Sequence, residues 1–239
     1  MDNAIPIDLD TWPRRQHFAH YRRRPCSYAM TVELDVTEFA AAMRRSERKS
    51  YLAQVWAIAT VVNRHEEFRM CLTESGAPAV RPVVHPAFTV FNQERETFAC
   101  VWAPYEPGFG AFHDVAAPLL AEHARATEFF PLGDPPRDTF DVSSAPWTSF
   151  TGFTLDLGDS WDHLAPIFTL GRYTERDGRV LLPVALQIHH AAADGFHTAR
   201  LLNELQSLLA EPTWLDGGHA GERRGPTGVS SEPSRRSAR

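Results

Sequence analysis

The chain has 239 residues, enough for one mid-sized domain or two small ones, and its 43% hydrophobic and 23% charged content is that of an ordinary globular protein. A formal charge of −6 argues against a dedicated nucleic-acid binder, which presents a basic face. No run reaches the length of a membrane span, the opening "MDNAIPIDLDTWPRR" lacks the basic start and apolar core of a secretory signal, and Cys26, Cys71 and Cys100 form neither a CxxC pair nor a disulfide framework, so the expected compartment is the cytoplasm.

Residues 36–48 read as a helix with Thr37 as N-cap. Ser50 then precedes "YLAQVWAIATVVNRHEEF", a second helix that is apolar on most faces and therefore expected to be buried on more than one side. Four short runs, "FRMCLT", "PAVRPVV", "AFTVFNQ" and "TFACVWA", are rich in β-branched and aromatic side chains and read as strands. Helical spacing returns in "FHDVAAPLLAEHARATEFF" and is broken at "GDPPRD". "WTSFTGFTLDL", "PIFTLGRYTE" and "RVLLPVALQIHH" read as three long strands, the last two joined by a turn at "ERDGR", and a final helix spans about 195–211. Helices combined with a mixed, mostly antiparallel sheet, without βαβ alternation, define an α+β protein. Residues 1–215 are expected to form a single domain. Residues 216–239 are polar and rich in Gly, Pro and Ser, and so are expected to be a disordered tail that cannot bury enough surface to offset its ordering entropy.

The densest chemistry lies in "QIHHAAADGFH", residues 187–197. His189, His190, Asp194 and His197 are zinc-ligand types, but at the end of a strand His189 and His190 point to opposite faces and cannot reach one ion, so no metal is expected. Two readings stay open on spacing alone. The histidines are hydrogen-bonded parts of a turn before a helix, or one of them is a general base on a rigid strand end, the mount such a base requires.

"HHAAADGFH" resembles the signature of the chloramphenicol acetyltransferases. So do "TWPRRQHFAHYRRRPC", "FTVFNQERETFA", "SSAPWTSFTGF" and "LLNELQ", in order and with matching gaps, over about residues 10–210. The resemblance implies the CoA-dependent acyltransferase fold and transfer of an acetyl group from acetyl-CoA to a primary hydroxyl of chloramphenicol, conferring antibiotic resistance. Acetyl-CoA would be a cosubstrate, with no resident cofactor. An alcohol is protonated at neutral pH, so attack on a thioester needs a base in the transition state, and histidine suits that role. By the same resemblance the base is His190, with His189 turned to structural contacts and the imidazole tautomer held by the backbone carbonyl of His190 itself. Asp194 pairs with Arg14 to brace the turn; if the pair is buried, breaking it costs roughly 3–5 kcal/mol. Ser143 donates to the tetrahedral oxyanion, and Thr169 helps hold the reacting centre.

The resemblance further assigns Tyr21, Tyr28, Phe98, Phe130, Leu155 and Ile167 to the acceptor pocket. It assigns Trp147, Phe153 and Tyr173 to the CoA side, with Lys49 (the only lysine in the chain) and Arg172 meeting CoA phosphates. It implies a homotrimer with active sites between subunits. The chain departs from the family at "YRRRPC", one residue shorter than usual and carrying arginines where an apolar residue touches the antibiotic; at His20 and Thr154; and at Ala192–Ala193, which replace bulkier residues. These departures fall on the acceptor side. An acetyltransferase of the same fold acting on another hydroxylated acceptor is therefore the alternative.

Overall fold

The computed structural model describes residues 3–155 and 162–217. In chain order, β1 (Ile5–Pro6) and α1 (Arg15–Arg23) lead to β2 (Ser27–Asp35), α2 (Thr37–Met43) and α3 (Ser50–Asn63). Next come β3 (Met70–Leu72), β4 (Pro78–Val80), the hairpin β5 (His85–Asn92) and β6 (Thr97–Trp102), then α4 (Phe109–Glu122). The last part holds β7 (Thr139–Ala145), β8 (Ile167–Gly171), β9 (Thr174–Arg176), β10 (Arg179–His189) and α5 (Gly195–Ala210).

The main sheet runs in the order β2-β10-β8-β7-β5-β6, with β9 paired to β10; β1, β4 and β3 form a small second sheet. Among the described residues, only the β5–β7 and β7–β8 pairs are parallel. The predicted mixed, mostly antiparallel α+β architecture is what the chain adopts. Alternation sends one residue of every two toward the helices. Val184, Leu186 and Ile188 of β10, Phe168 and Leu170 of β8, Val142 of β7 and Phe88 and Val90 of β5 all enter the core. Against them lies α3, buried continuously from Leu52 to Val62, as its all-round apolar sequence predicts. Trp214 closes the far end of that core against Trp56, 4.5 Å between ring centroids.

The remaining residues of each strand form the sheet's second face. Across it, Thr31, Ala185, Thr169 and Ser143 stand in one row on β2, β10, β8 and β7. Ala29, Gln187, Ile167 and Asp141 form the next row.

Several elements differ from the sequence expectation. Thr37 is the first helical residue of α2 and not its N-cap; Asp35 does the capping, its Oδ1 accepting from the Thr37 backbone N–H at 3.1 Å and from the Thr37 hydroxyl at 2.6 Å. Helix α2 ends at Met43, and α4 ends at Glu122, well short of Phe130. "WTSFTGFTLDL" is not a strand. The strand is β7, just upstream, and from Pro146 the chain folds back over β8, β10 and β2: Phe150 packs on Gly171, Phe153 N–H donates to Thr31 Oγ1 and Leu155 bonds Gln187. Asp156 and Leu157 of that expected strand, like residues 218–239 of the expected tail, lie outside the described residues. The "ERDGR" turn holds, with Asp177 and Gly178 both at positive φ (53° and 75°), the conformation a two-residue hairpin of this twist requires.

Gly171 is where the fold-back is clamped. A Cβ there would stand 2.6 Å from Pro183 Cγ and 2.9 Å from Phe150 Cε1, both ring atoms in packed positions. Gly171→Ala should therefore destabilise the protein by about 1–3 kcal/mol, read as a lower denaturant midpoint at unchanged slope. An unshifted midpoint would show that the segment is not held tightly at this point.

Candidate active site

Strand β10 delivers its last residues to a corner formed with α1 and β2. The backbone N–H of His190 donates to Cys26 O at 2.8 Å, continuing the β2–β10 pairing one residue past the strand. The His190 ring stacks on Tyr21 (4.0 Å between centroids, 9° between planes) and meets Tyr28 edge-on at 5.0 Å. Tyr28 is itself fixed to α5 through a 2.6 Å hydroxyl contact with Thr198. Nδ1 of His190 is buried and has no hydrogen-bond partner among the described residues, its own carbonyl included, which corrects the expectation that this carbonyl holds the tautomer. The reason is geometric. The ring lies flat on Tyr21, so stacking sets its orientation, and the His190 carbonyl instead accepts from Arg14 Nη2 at 3.4 Å.

His189 points the other way and is almost wholly buried, its Nδ1 accepting the Ala191 backbone N–H at 3.0 Å. Asp194 has two duties. It is the N-cap of α5, accepting from Phe196 N–H at 3.1 Å, and its Oδ2 accepts from Arg14 Nη1 at 2.5 Å. Burial pushes its carboxyl up, but the Arg14 hydrogen bond and the His197 and Arg14 charges outweigh burial and hold it below the ordinary value. The chain of contacts continues from Asp194 to His197 (2.8 Å), from His197 to Glu67 (3.3 Å) and from Glu67 to Arg200 (3.1 Å). The Asp194 side chain is 34% exposed, so the cost expected for breaking a buried pair is too high here; water screens part of the interaction. Among the described residues, no three His, Cys, Asp or Glu side chains converge as metal ligands.

Ser143 and Thr169 are side by side on the second face, their hydroxyl oxygens 3.1 Å apart. Beside them the sheet opens. The β5–β7 ladder stops at Phe88–Val142 while both strands continue, to Asn92 and Ala145, and the parting strands leave a cavity of about 440 Å³. Its wall includes Ser144, Trp147, Arg172 and Tyr173, together with Ser50, Tyr51 and Gln54 of α3. Gln54 Nε2 donates to the Tyr173 hydroxyl at 2.5 Å, and burial pushes the Tyr51 phenol up to about 12. Lys49 is exposed immediately before the first of these helix residues. Phe153 does not line the cavity: its ring packs on Phe150 at 5.5 Å over β2. The residues sequence reasoning missed here are Tyr51, Gln54 and Phe91. The signal for the first two was an otherwise apolar helix carrying a glutamine; Phe91 lies on β5, where an alternating strand carries no mark of a cavity.

The six acceptor residues are divided. Tyr21 and Tyr28 hold His190. Leu155 and Ile167 sit by Gln187, whose Oε1 accepts from Leu155 N–H at 2.7 Å, and Ile167 is the register partner of Gln187. Phe130 borders a larger cavity of about 750 Å³ at the β6–β7 side, and Phe98 packs on its neighbour Phe129, which borders the same space. From Ala185, in the Ser143–Thr169 row, His190 lies five residues further along β10, and Ser143 lies two strands across. At about 3.3 Å per residue and 4.8 Å per strand, His190 and Ser143 are ~19 Å apart in one chain.

The sequence profile described as chloramphenicol acetyltransferase matches residues 2–206. The chain belongs to the chloramphenicol acetyltransferase family. It is 82% identical to the chloramphenicol acetyltransferase of Streptomyces acrimycini over 211 residues, 88% of this chain and 96% of the relative. It is 41% identical to chloramphenicol acetyltransferase 2 of Haemophilus influenzae, over 86% of this chain and 97% of that one. A solved chloramphenicol acetyltransferase of 20% identity superposes with a TM-score of 0.80, covering 86% of this chain and 99% of its own. The dihydrolipoamide acetyltransferase of Azotobacter vinelandii superposes at 0.63, also at 20% identity, covering 84% and 88%. These two share the fold of the chloramphenicol acetyltransferase family. Among the described residues, no helix is long and apolar enough to cross a membrane.

The buried histidine of the pair makes a pH prediction. Burial, then the Arg22 and His190 charges, push the His189 imidazole down to about 4. A histidine depressed in the folded state gives its full stabilisation above its unfolded value near 6.5 and loses it as pH falls toward the folded value. Stability should therefore fall by about 3 kcal/mol more in wild type than in His189→Gln between about pH 6.5 and about pH 4, measured by denaturant titration. Parallel profiles for the two proteins would contradict this burial of a neutral ring.

Proposed function

We propose that the chain transfers the acetyl group of acetyl-CoA to a primary hydroxyl of chloramphenicol, with His190 as general base and Ser143 as oxyanion donor. The observation that carries this reading is the combination of the Ser143–Thr169 hydroxyl pair beside an open cavity with an 82%-identical relative named chloramphenicol acetyltransferase. Nδ1 of His190 is buried, so Nε2 is the nitrogen offered to substrate. Nε2 takes the hydroxyl proton as the alcohol oxygen attacks the thioester carbonyl. The new C–O bond leaves a tetrahedral oxyanion, which accepts a hydrogen bond from Ser143. Collapse breaks the C–S bond, and the imidazolium returns its proton to the departing thiolate. No step requires an acyl-enzyme.

A base and an oxyanion donor must flank one carbon, each about 3 Å from a reacting atom. A separation of ~19 Å within the chain supports a site shared between copies, His190 from one and Ser143 from the next, as the family's trimeric arrangement implies. The same split accounts for the acceptor residues, of which Tyr21 and Tyr28 accompany His190 while Phe98, Phe130, Leu155 and Ile167 lie on or beside Ser143's sheet face. The 440 Å³ cavity fits the pantetheine arm of acetyl-CoA, with Trp147 and Tyr173 along it and Lys49 and Arg172 at hand for phosphates. The three widely spaced cysteines, with no disulfide among the described residues, fit a reducing compartment, and we assign the enzyme to the cytoplasm.

The runner-up, the same chemistry on a different hydroxylated acceptor, draws on Arg22. Where the family carries an apolar contact, this guanidinium borders the 750 Å³ cavity and pairs with Asp162 at 2.6 Å.

Thiol release from acetyl-CoA, measured with chloramphenicol beside a panel of other alcohols, tests the reading. His190→Ala should lose about 10²–10⁴-fold in kcat, and Ser143→Ala about 10²-fold, with both Michaelis constants little changed. A His190→Ala enzyme that kept wild-type turnover would end it; a faster alcohol elsewhere in the panel would move the acceptor but keep the chemistry. Removing charge at Lys49 or Arg172 should raise KM for acetyl-CoA and leave that for the acceptor unchanged. An unaltered acetyl-CoA constant in both variants would reject the phosphate assignment.

A further inference from the structure

The second sheet face carries a charged pair beside the acceptor residues. Asp141 is the register partner of Ile167 and lies two residues before Ser143 on the same face of β7. His163 Nε2 stands 3.5 Å from Asp141 Oδ2, and both residues border the 750 Å³ cavity together with Phe129, Phe130 and Cys100. Both side chains are partly exposed to that space. No described residue donates a hydrogen bond to the Asp141 carboxylate, although a carboxylate offers about four acceptor positions. The pair faces a cavity whose wall carries Arg22, Arg81 and Arg137 beside Phe68, Phe129 and Phe130, and the carboxylate keeps acceptor positions open toward that space.

We infer that Asp141, positioned by His163, is an acceptor-specificity residue that takes a hydrogen bond from a second donor on the substrate, a hydroxyl or amide N–H other than the hydroxyl being acetylated. This rests on the acetyl-transfer reading and adds to it a polar requirement on the acceptor. Chloramphenicol carries both donor types, a secondary hydroxyl and an amide N–H. The spacing suits the task. Asp141 is one same-face step, about 7 Å, from Ser143, so a donor a few bonds from the attacking oxygen reaches it while that oxygen meets the carbonyl carbon whose oxyanion Ser143 holds. Burial raises the carboxyl above its usual value and the His163 charge opposes that rise, which keeps His163 part of the same unit. Discrimination of this kind is strong because an acceptor lacking the donor leaves a desolvated carboxylate unpaired.

The test compares wild type with Asp141→Leu and Asp141→Asn on chloramphenicol, on its analogue without the secondary hydroxyl, and on its N-methyl amide. Asp141→Leu should raise KM for chloramphenicol about tenfold or more, leaving KM for acetyl-CoA within about twofold. For whichever analogue lacks the bound donor, wild type and variant should coincide, and that analogue identifies the donor. Asp141→Asn, which keeps the side-chain shape, should move KM the same way by less, and it decides the matter if the leucine variant does not fold. The inference is overturned if the variants leave KM for chloramphenicol unchanged, or raise it equally for all three acceptors. Failure of wild type to acetylate chloramphenicol at all would instead overturn the acetyl-transfer reading beneath it.

Discussion

Thr169 stands between Ser143 and Ala185 in one row across the sheet, and five residues after Ala185 the chain reaches His190. Hydrogen-bonded register fixes that offset, because a slip of one residue would turn every core side chain of β10 outward. Val184, Leu186 and Ile188 are essentially inaccessible to water, so the register is strongly held. One chain thus presents two separated features, a mounted imidazole at a strand tip and a hydroxyl pair on the sheet face opposite the α3 core. Phe98, Phe91 and Trp147 stand exposed around the second. The proposed catalysis follows from bringing the two together from neighbouring copies.

The imidazole is mounted by packing and by charge. Stacking on Tyr21 fixes the plane of the His190 ring, and the pairing of its backbone with Cys26 fixes the strand tip beneath it. The turn that follows is closed by Asp194, which caps α5 and holds Arg14, and through His197, Glu67 and Arg200 the same network reaches the segment after α3. Among the described residues the Asp194 carboxylate meets Arg14, Phe196 and His197, the partners of a brace on the turn. On the other side, the parting of β5 and β7 leaves a cavity bordered by Ser144, the neighbour of Ser143. The geometry is preorganised by the sheet itself.

Much of this was legible in the sequence. The all-round apolar α3, the "DG" hairpin, the strand running into His189–His190 and the Asp194 helix start each carry local signals that tertiary structure did not override. The misplaced strand shows where local signals fail. "WTSFTGFTLDL" has strand composition but serves as a cover over β8 and β10, whereas "TFDVSSA", with an aspartate and two serines, is the strand. Its Asp141 and Ser143 share one face of the sheet while Ser144 borders the cavity on the other, so polar side chains lowered the strand propensity of this element. Placing β7 correctly would have put Asp141 and Ser143 on one face. Nothing local shows that β5 and β7 separate, or that the His190 carbonyl turns to Arg14; both depend on contacts between distant segments.

The central claim is that His190 and Ser143 act on one substrate from different copies of the chain. His190→Ala and Ser143→Ala chains carrying different affinity tags can be unfolded together, refolded and isolated as mixed oligomers. Each variant alone has only residual activity, but in a trimer holding both kinds of chain about one site in three combines an intact His190 with an intact Ser143, and activity should return in that proportion. Mixed oligomers no more active than the average of the two variants would contradict the shared site and place both residues' chemistry within a single chain.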